Sequence, residues 1–74
     1  MGIYDFNALS KDEQATKAWE DGVFLMHREA EDVIYILFQV EGIYVEFHYD
    51  NKVNRITRIN TFTNPDLLDA YFAG

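Results

Sequence analysis

The chain has 74 residues and a formal net charge of −7, from thirteen acidic and six basic residues. This length predicts one domain over residues 1–74, with a core that only just offsets the loss of chain entropy. Cysteine is absent, which excludes disulfides and Cys-based zinc or redox sites and is typical of a reducing compartment. The negative field repels nucleic-acid phosphates and anionic lipids, so neither nucleic acid nor a membrane is an expected partner.

Two further features bear on location. The longest apolar run, Val33–Val40, is interrupted by Gln39 and is far shorter than the roughly 20 residues of a membrane-spanning helix. The first residues lack the basic region of a secretory signal peptide. We therefore expect a soluble, cytoplasmic protein.

A capping box predicts where the first helix begins. The Ser10 hydroxyl can accept a hydrogen bond from the Glu13 amide, while the Glu13 carboxylate accepts one from the Ser10 amide. The helix is expected to run to about Asp21 and to end at Gly22 in a left-handed conformation. Side chains with i+3 and i+4 spacing share its inner face, namely Ala15, Ala18 and Trp19. Trp19 is therefore the expected anchor to the core, and the residues before Ser10 are expected to form an ordered arm.

Four segments rich in β-branched and aromatic residues follow, separated by short polar breaks. They cover residues 23–29, 33–40, 43–50 and 54–62, and consecutive strands are expected to pair as an antiparallel meander. A last helix is predicted from Asn64 and Pro65, an N-cap followed by a residue suited to the first helical position. Its apolar stripe consists of Leu67, Leu68, Tyr71 and Phe72. The predicted fold is α+β, in the order α-β-β-β-β-α.

The register of the middle hairpin follows from the cost of burying charge. A two-residue loop, Glu41-Gly42, pairs Val40 with Ile43 and continues with apolar pairs on one face: Phe38 with Val45, Ile36 with Phe47, and Ile34 with Tyr49. A three-residue loop would instead place Glu46 on the core face. Burying an unpaired charge costs several kcal/mol, whereas Glu41 at positive φ costs about one or two. The two-residue loop is therefore predicted.

The first hairpin is less constrained, because the break at residues 30–32 allows a loop of two or three residues. A three-residue loop turns Phe24 and Met26 inward and leaves Leu25 and His27 outside. The alternative places His27 on the core face together with Glu29. We therefore predict the three-residue loop.

The last hairpin, around residues 51–52, also remains open. Ile56 and Ile59 are three residues apart, so they share a face only if the strand contains a bulge. A three-residue loop would place Glu46 opposite Arg58 as a cross-strand salt bridge.

If both helices cover the face that carries Ile36 and Phe47, the opposite face of the sheet is left open. We call it the open face, and it is the candidate interaction surface. The residues predicted for it are Tyr35, Leu37, Tyr44, Glu46, His48, His27 and Leu25. Apolar and tyrosine-rich patches of this kind are typical of protein interfaces. The alternative is that the N-terminal arm or a helix covers this face.

The same pattern does not predict chemistry. His27 and His48 are expected about 10 Å apart across Tyr35, too far to share one zinc ion. Glu46 has no nucleophile or second carboxylate beside it, and the chain carries no Gly-rich phosphate loop and no G-x-S-x-G or H-E-x-x-H motif. We therefore predict no catalytic residue, metal or cofactor.

Three short motifs are similar to those of some small bacterial proteins of unknown function. They are the helix ending Trp19-Glu20-Asp21-Gly22, the Phe24-Leu25 pair and the Tyr44-Val45-Glu46-Phe47 strand. The similarity spans most of the chain and implies no activity, cofactor or ligand.

The functional expectation is a small, acidic, non-catalytic protein-interaction module that acts through the open face and forms a homodimer. One alternative is an acidic inhibitor or immunity-type protein that binds a basic partner. Another is a small-ligand binder that uses His27, Tyr35 and His48 in a cleft between sheet and arm.

Overall fold

A computed structural model describes residues 2–68, with side chains described as far as Asp66. Two helices, α1 (Ile3–Asn7) and α2 (Lys11–Asp21), precede four strands, β1 (Val23–Ala30), β2 (Val33–Val40), β3 (Ile43–Asp50) and β4 (Arg55–Phe62). The strands form one antiparallel sheet in the order β1-β2-β3-β4, which confirms the predicted meander. The N-terminal arm contains the short helix α1.

The predicted C-terminal helix is seen only at its start. A 3₁₀ turn covers Pro65–Leu68, and the Asp66 amide donates to Asn64 Oδ1 at 2.9 Å, as expected for Asn64 as a cap. The rest of the predicted helix, with Tyr71 and Phe72 of its apolar stripe, lies outside the described residues.

The middle hairpin has the predicted register. Val40 pairs with Ile43, and the three further predicted pairs follow along β2 and β3. Glu41 and Gly42 have φ values of 48° and 83°. Two consecutive left-handed residues form the turn whose twist matches that of the flanking strands. The backbone strain at Glu41 is thus tolerated because it keeps Glu46 off the core face.

The first hairpin differs from the prediction. Ala30 pairs with Val33 across a two-residue loop, in which Glu31 has a φ of 55°. His27 consequently pairs with Ile36, on the same face as the helices, and Glu29 also lies on that face. Both side chains are exposed there, on a strand at the edge of the sheet. The three-residue loop was predicted because it avoids burying His27 and Glu29, but neither side chain is buried in the observed register.

A bulge at Leu25 sets the direction of the other β1 side chains. Phe24 pairs with Phe38, whereas Met26 pairs with Leu37, so these two β1 residues lie on opposite faces. The prediction that both turn inward is therefore correct for Phe24 and wrong for Met26. An extra residue in one strand reverses the alternation of side chains on either side of it.

The last hairpin contains the bulge that its isoleucines require. Ile56 pairs with Tyr49 and Ile59 with Phe47, which leaves Thr57 as the extra residue. Glu46 lies opposite Asn60, so its predicted pairing with Arg58 is wrong.

Both described helices pack on the face of β2 and β3 that carries Ile36 and Phe47, which we call the helix face. The core is formed by Phe6, Ala18, Phe38, Val40, Ile43, Val45 and Phe47. The capping box is present, with hydrogen bonds of 3.2 Å to the Ser10 hydroxyl and 3.0 Å to the Glu13 carboxylate. The buried Gln14 side chain donates to the Phe6 carbonyl at 2.9 Å and so joins α2 to α1.

The C-terminal end of α2 corrects two expectations. Gly22 is extended, with φ −90° and ψ 167°, rather than left-handed. A Cβ at this position would lie 2.4 Å from the Ala18 carbonyl oxygen and 3.0 Å from Val40 Cγ2, so glycine is needed for close approach. Ala18, one turn earlier in α2, is fully buried. Trp19 is 80% exposed and does not anchor the core.

Candidate functional site

The sheet registers place the predicted interaction residues in two groups. Directly paired residues of antiparallel strands point to the same side of the sheet. Five of the predicted residues share the open face, namely Tyr35, Leu37, Tyr44, Glu46 and His48. His27 lies on the helix face, and Leu25 is the bulge residue at the sheet edge, 38% exposed. Leu37 is fully buried, so in this structure it supports the sheet and is not available to a partner.

A hydrogen-bonded network occupies the middle of the open face. Glu46 and His48 are adjacent on this side of β3, and Glu46 Oε1 lies 2.5 Å from His48 Nε2. Asn60 Nδ2 donates to Glu46 Oε1 at 3.0 Å, and Arg58 Nε donates to Asn60 Oδ1 at 3.2 Å. The Glu46 and His48 side chains are only 13% and 18% exposed. The network therefore orients His48 and links β3 to β4.

Aromatic contacts continue this network toward β1. The Tyr35 and His48 rings meet edge to face with centroids 4.6 Å apart, and the Arg28 guanidinium lies 4.8 Å from the centre of the Tyr35 ring. Sequence reasoning placed His48 on the open face but did not predict that it joins this network. The signal for its role is the spacing of Glu46 and His48, since i and i+2 residues of a strand share a face.

The described side chains of the open-face network do not form a metal site. Within residues 2–68, no group of three or more His, Asp or Glu side chains is placed to hold a metal ion. His27 and His48 lie on opposite faces of the sheet. The described helices are likewise too short or too polar to cross a membrane.

A second surface was not predicted from the sequence. Where α2 ends beside β1, the helix face holds a concavity of about 470 Å³, which we call the β1 groove. It is lined by Trp19, Gly22, Phe24, His27, Ile34, Ile36 and Phe38. The Trp19 and Phe24 rings both lie within about 6 Å of the Phe38 ring, with centroid distances of 6.2 and 5.9 Å. Sequence reasoning missed this groove because it placed Trp19 in the core.

Among the described residues, the open face and the β1 groove are thus two candidate interaction surfaces. Comparison of the chain with known protein families, curated proteins and solved structures finds no match. The contacts, exposure and charges of the two surfaces are therefore the basis for inferring a function.

Proposed function

We propose that this chain is a non-catalytic protein-interaction module of the cytoplasm that self-associates through the β1 groove and the adjoining edge of β1. The observation that carries this proposal is the exposure of two aromatic side chains, Trp19 and Phe24, in the lining of an apolar concavity. Trp19 is 80% exposed and Phe24 53% exposed. Large apolar side chains gathered around a groove are typical of a contact surface, whereas isolated ones are common on any protein.

The edge of the sheet supports a second copy as the occupant. β1 is the first strand of the sheet and has eight residues, Val23–Ala30. An edge strand presents backbone groups that can pair with another strand. Antiparallel pairing of two β1 strands about a twofold axis would place both β1 grooves on the same side of a continuous sheet. The bulge at Leu25 confines regular pairing to residues 26–30.

The exposed aromatic area supplies part of what a dimer contact uses. An aromatic side chain can bury about 150–250 Å². With the exposed fractions of Trp19 and Phe24, these two residues offer roughly 300 Å² per copy. A standard interface buries about 800 Å² on each partner. The backbone of the strand edge contributes further area beside the groove.

The single tryptophan of the chain allows a direct test. We expect light scattering across a concentration series to give the mass of a dimer, and Trp19 fluorescence to shift to the blue as the dimer forms. Phe24→Glu should give a monomer whose circular dichroism is unchanged. Val53→Glu is the matched control, because Val53 is 49% exposed but lies in the loop between β3 and β4.

Two results would contradict this assignment. A wild-type chain that remains monomeric at high concentration would exclude self-association. If Tyr35→Ala or Tyr44→Glu dissociates the dimer while Phe24→Glu does not, the contact is instead the open face, as the sequence predicts.

The acidic surface of α2 favours a second candidate, an inhibitor or immunity-type protein for a basic partner. Asp12, Glu13 and Glu20 line a shallow concavity of about 410 Å³. Lys17, also in this lining, is 2.8 Å from Asp21 and 3.7 Å from Glu41, and its hydrogen bond with Asp21 raises the pKa of the Lys17 ammonium. Its positive charge is therefore compensated within the chain. A monomer that binds a lysine-rich peptide would favour this function over self-association.

A further inference from the structure

The end of β1 carries a histidine and a carboxylate on the same side of the sheet as the helices. His27 and Glu29 pair with Ile36 and Ile34 of β2, so both lie on the helix face. Both side chains are exposed. The His27 ring lies beside Phe24 in the lining of the β1 groove, with ring centroids 6.3 Å apart. Any strand that pairs with the edge of β1 therefore meets these two side chains next to the groove.

The symmetry of a dimer restricts how two copies of β1 can pair. Antiparallel strands that keep both grooves on one side of the sheet are related by a twofold axis normal to the sheet. One residue on that axis then pairs directly with its own copy. The bulge at Leu25 and the end of the strand at Ala30 confine regular pairing to residues 26–30. Arg28 is the middle residue of this stretch, so only a register centred on Arg28 pairs all five residues.

The neighbouring registers have further disadvantages. A centre at His27 brings the bulge at Leu25 into the paired stretch, and a centre at Glu29 places two carboxylates directly opposite, which is destabilising. The register centred on Arg28 also places two like charges opposite each other. Each Arg28 guanidinium, however, lies 4.8 Å from the centre of the Tyr35 ring on β2 of its own chain, away from the edge. The register centred on Arg28 is therefore favoured.

We propose that two copies pair through β1 with Arg28 at the twofold axis, so that His27 of each copy lies opposite Glu29 of the other. Protonation of His27 then forms two cross-strand ion pairs per dimer and strengthens the association. This pairing rests on the self-association through the β1 groove, and it adds a register and a dependence on pH.

The other groups around His27 are apolar or acidic. The described side chains of β2 and α2 that line the β1 groove with it do not titrate. Glu29 of its own chain lies two residues away on the same face, and Glu31 of the second copy would lie opposite the bulge at Leu25. The dimer therefore binds the proton of His27 more tightly than the monomer does. By linkage, association strengthens as pH falls through the range in which histidine titrates and weakens above it.

The test is the dissociation constant of the dimer, measured by sedimentation equilibrium at about pH 8 and about pH 5.5, between which histidine changes from neutral to largely protonated while glutamate stays ionised. We expect the wild type to associate roughly fivefold more tightly at the lower pH, from two exposed ion pairs. His27→Gln and Glu29→Gln should each lose most of this response. Glu29→Gln retains both histidines, so its loss does not reflect the net charge gained on acidification.

Exchanging the two residues provides a rescue of identical composition. In His27→Glu/Glu29→His, the symmetric register again places a histidine opposite a carboxylate, so the response to pH should return. Glu31→Gln is the matched control, because it removes the same charge from the adjoining turn without facing His27 and should keep the response of the wild type.

The outcomes separate this pairing from the self-association on which it rests. A wild type that is monomeric at both pH values would overturn both. A dimer whose response to pH persists in Glu29→Gln, or does not return in the exchanged variant, would overturn the register and leave self-association in place.

Discussion

The two faces of the sheet are built from alternating residues of the same strands but are stabilised in different ways. On the helix face, Val45 and Phe47 are buried beneath helices that contribute Phe6 and Ala18. On the open face, Glu46 and its neighbours are joined by hydrogen bonds and ring contacts across the strands. The helix face is thus stabilised by burial beneath helices, whereas the described contacts of the open face include polar and ring pairs between strands.

The largest effect is expected from breaking the cover of the helix face. Phe6 is fully buried, so Phe6→Ala should lower the free energy of unfolding by about 3–5 kcal/mol. Tyr4 belongs to the same short helix and is 88% exposed, so Tyr4→Ala is the matched control and should change stability little. Urea denaturation of both variants measures the difference. Similar losses in the two variants would show that α1 acts through its backbone rather than through Phe6.

A smaller effect is expected on the open face. Glu46→Ala removes the acceptor for Asn60 and the partner of His48 in a half-buried setting, which should cost about 1–3 kcal/mol in unfolding free energy. Glu29→Ala changes an exposed carboxylate on β1 and should be nearly neutral. Thermal unfolding of the two variants tests the contrast. A neutral Glu46→Ala would mean that this network orients side chains without stabilising the sheet.

The smallest effect concerns the helix that covers the helix face. Ser10→Ala removes the side-chain acceptor for the Glu13 amide and should cost about 1 kcal/mol. The hydrogen bonds from the Ser10 backbone and side chain lower the pKa of the Glu13 carboxyl from its ordinary value of 4.5.

Because this pKa is lower in the folded state, the ionised Glu13 stabilises the fold above about pH 4.5, and its contribution is lost as pH falls through the folded pKa. The wild type should therefore lose more stability than Glu13→Gln between neutral and acidic pH. Parallel stability curves of the two proteins across this range would contradict the linkage.

Local sequence patterns correctly predicted those parts of the fold for which every alternative arrangement has a clear cost in free energy. The middle hairpin has its predicted register because a slip would bury Glu46. The spacing of Ile56 and Ile59 required a bulge, which the structure places at Thr57. The capping box of Ser10 and Glu13 depends on only four consecutive residues.

The edge of the sheet was harder to predict, because an exposed side chain does not incur the free-energy cost of burying a charge. His27 and Glu29 can occupy the helix face because their end of β1 is exposed, so the burial rule that excluded the observed register does not apply. The position of the Arg58 side chain depended on a loop length that the sequence left open. For the candidate site, sequence reasoning placed Tyr35, Tyr44 and His48 on one face correctly, but it did not predict the β1 groove.

The sequence by itself determined the order of the strands, the central register and the start of α2, because each follows from neighbouring residues or from the alternation of apolar side chains. Only the tertiary structure decided how deeply each side chain is buried. Gly22 approaches Val40 closely, Ala18 is fully buried, and Trp19 is exposed beside the groove. Helical periodicity gives the direction of a side chain about the helix axis, but the distance between helix and sheet decides which side chain fits between them.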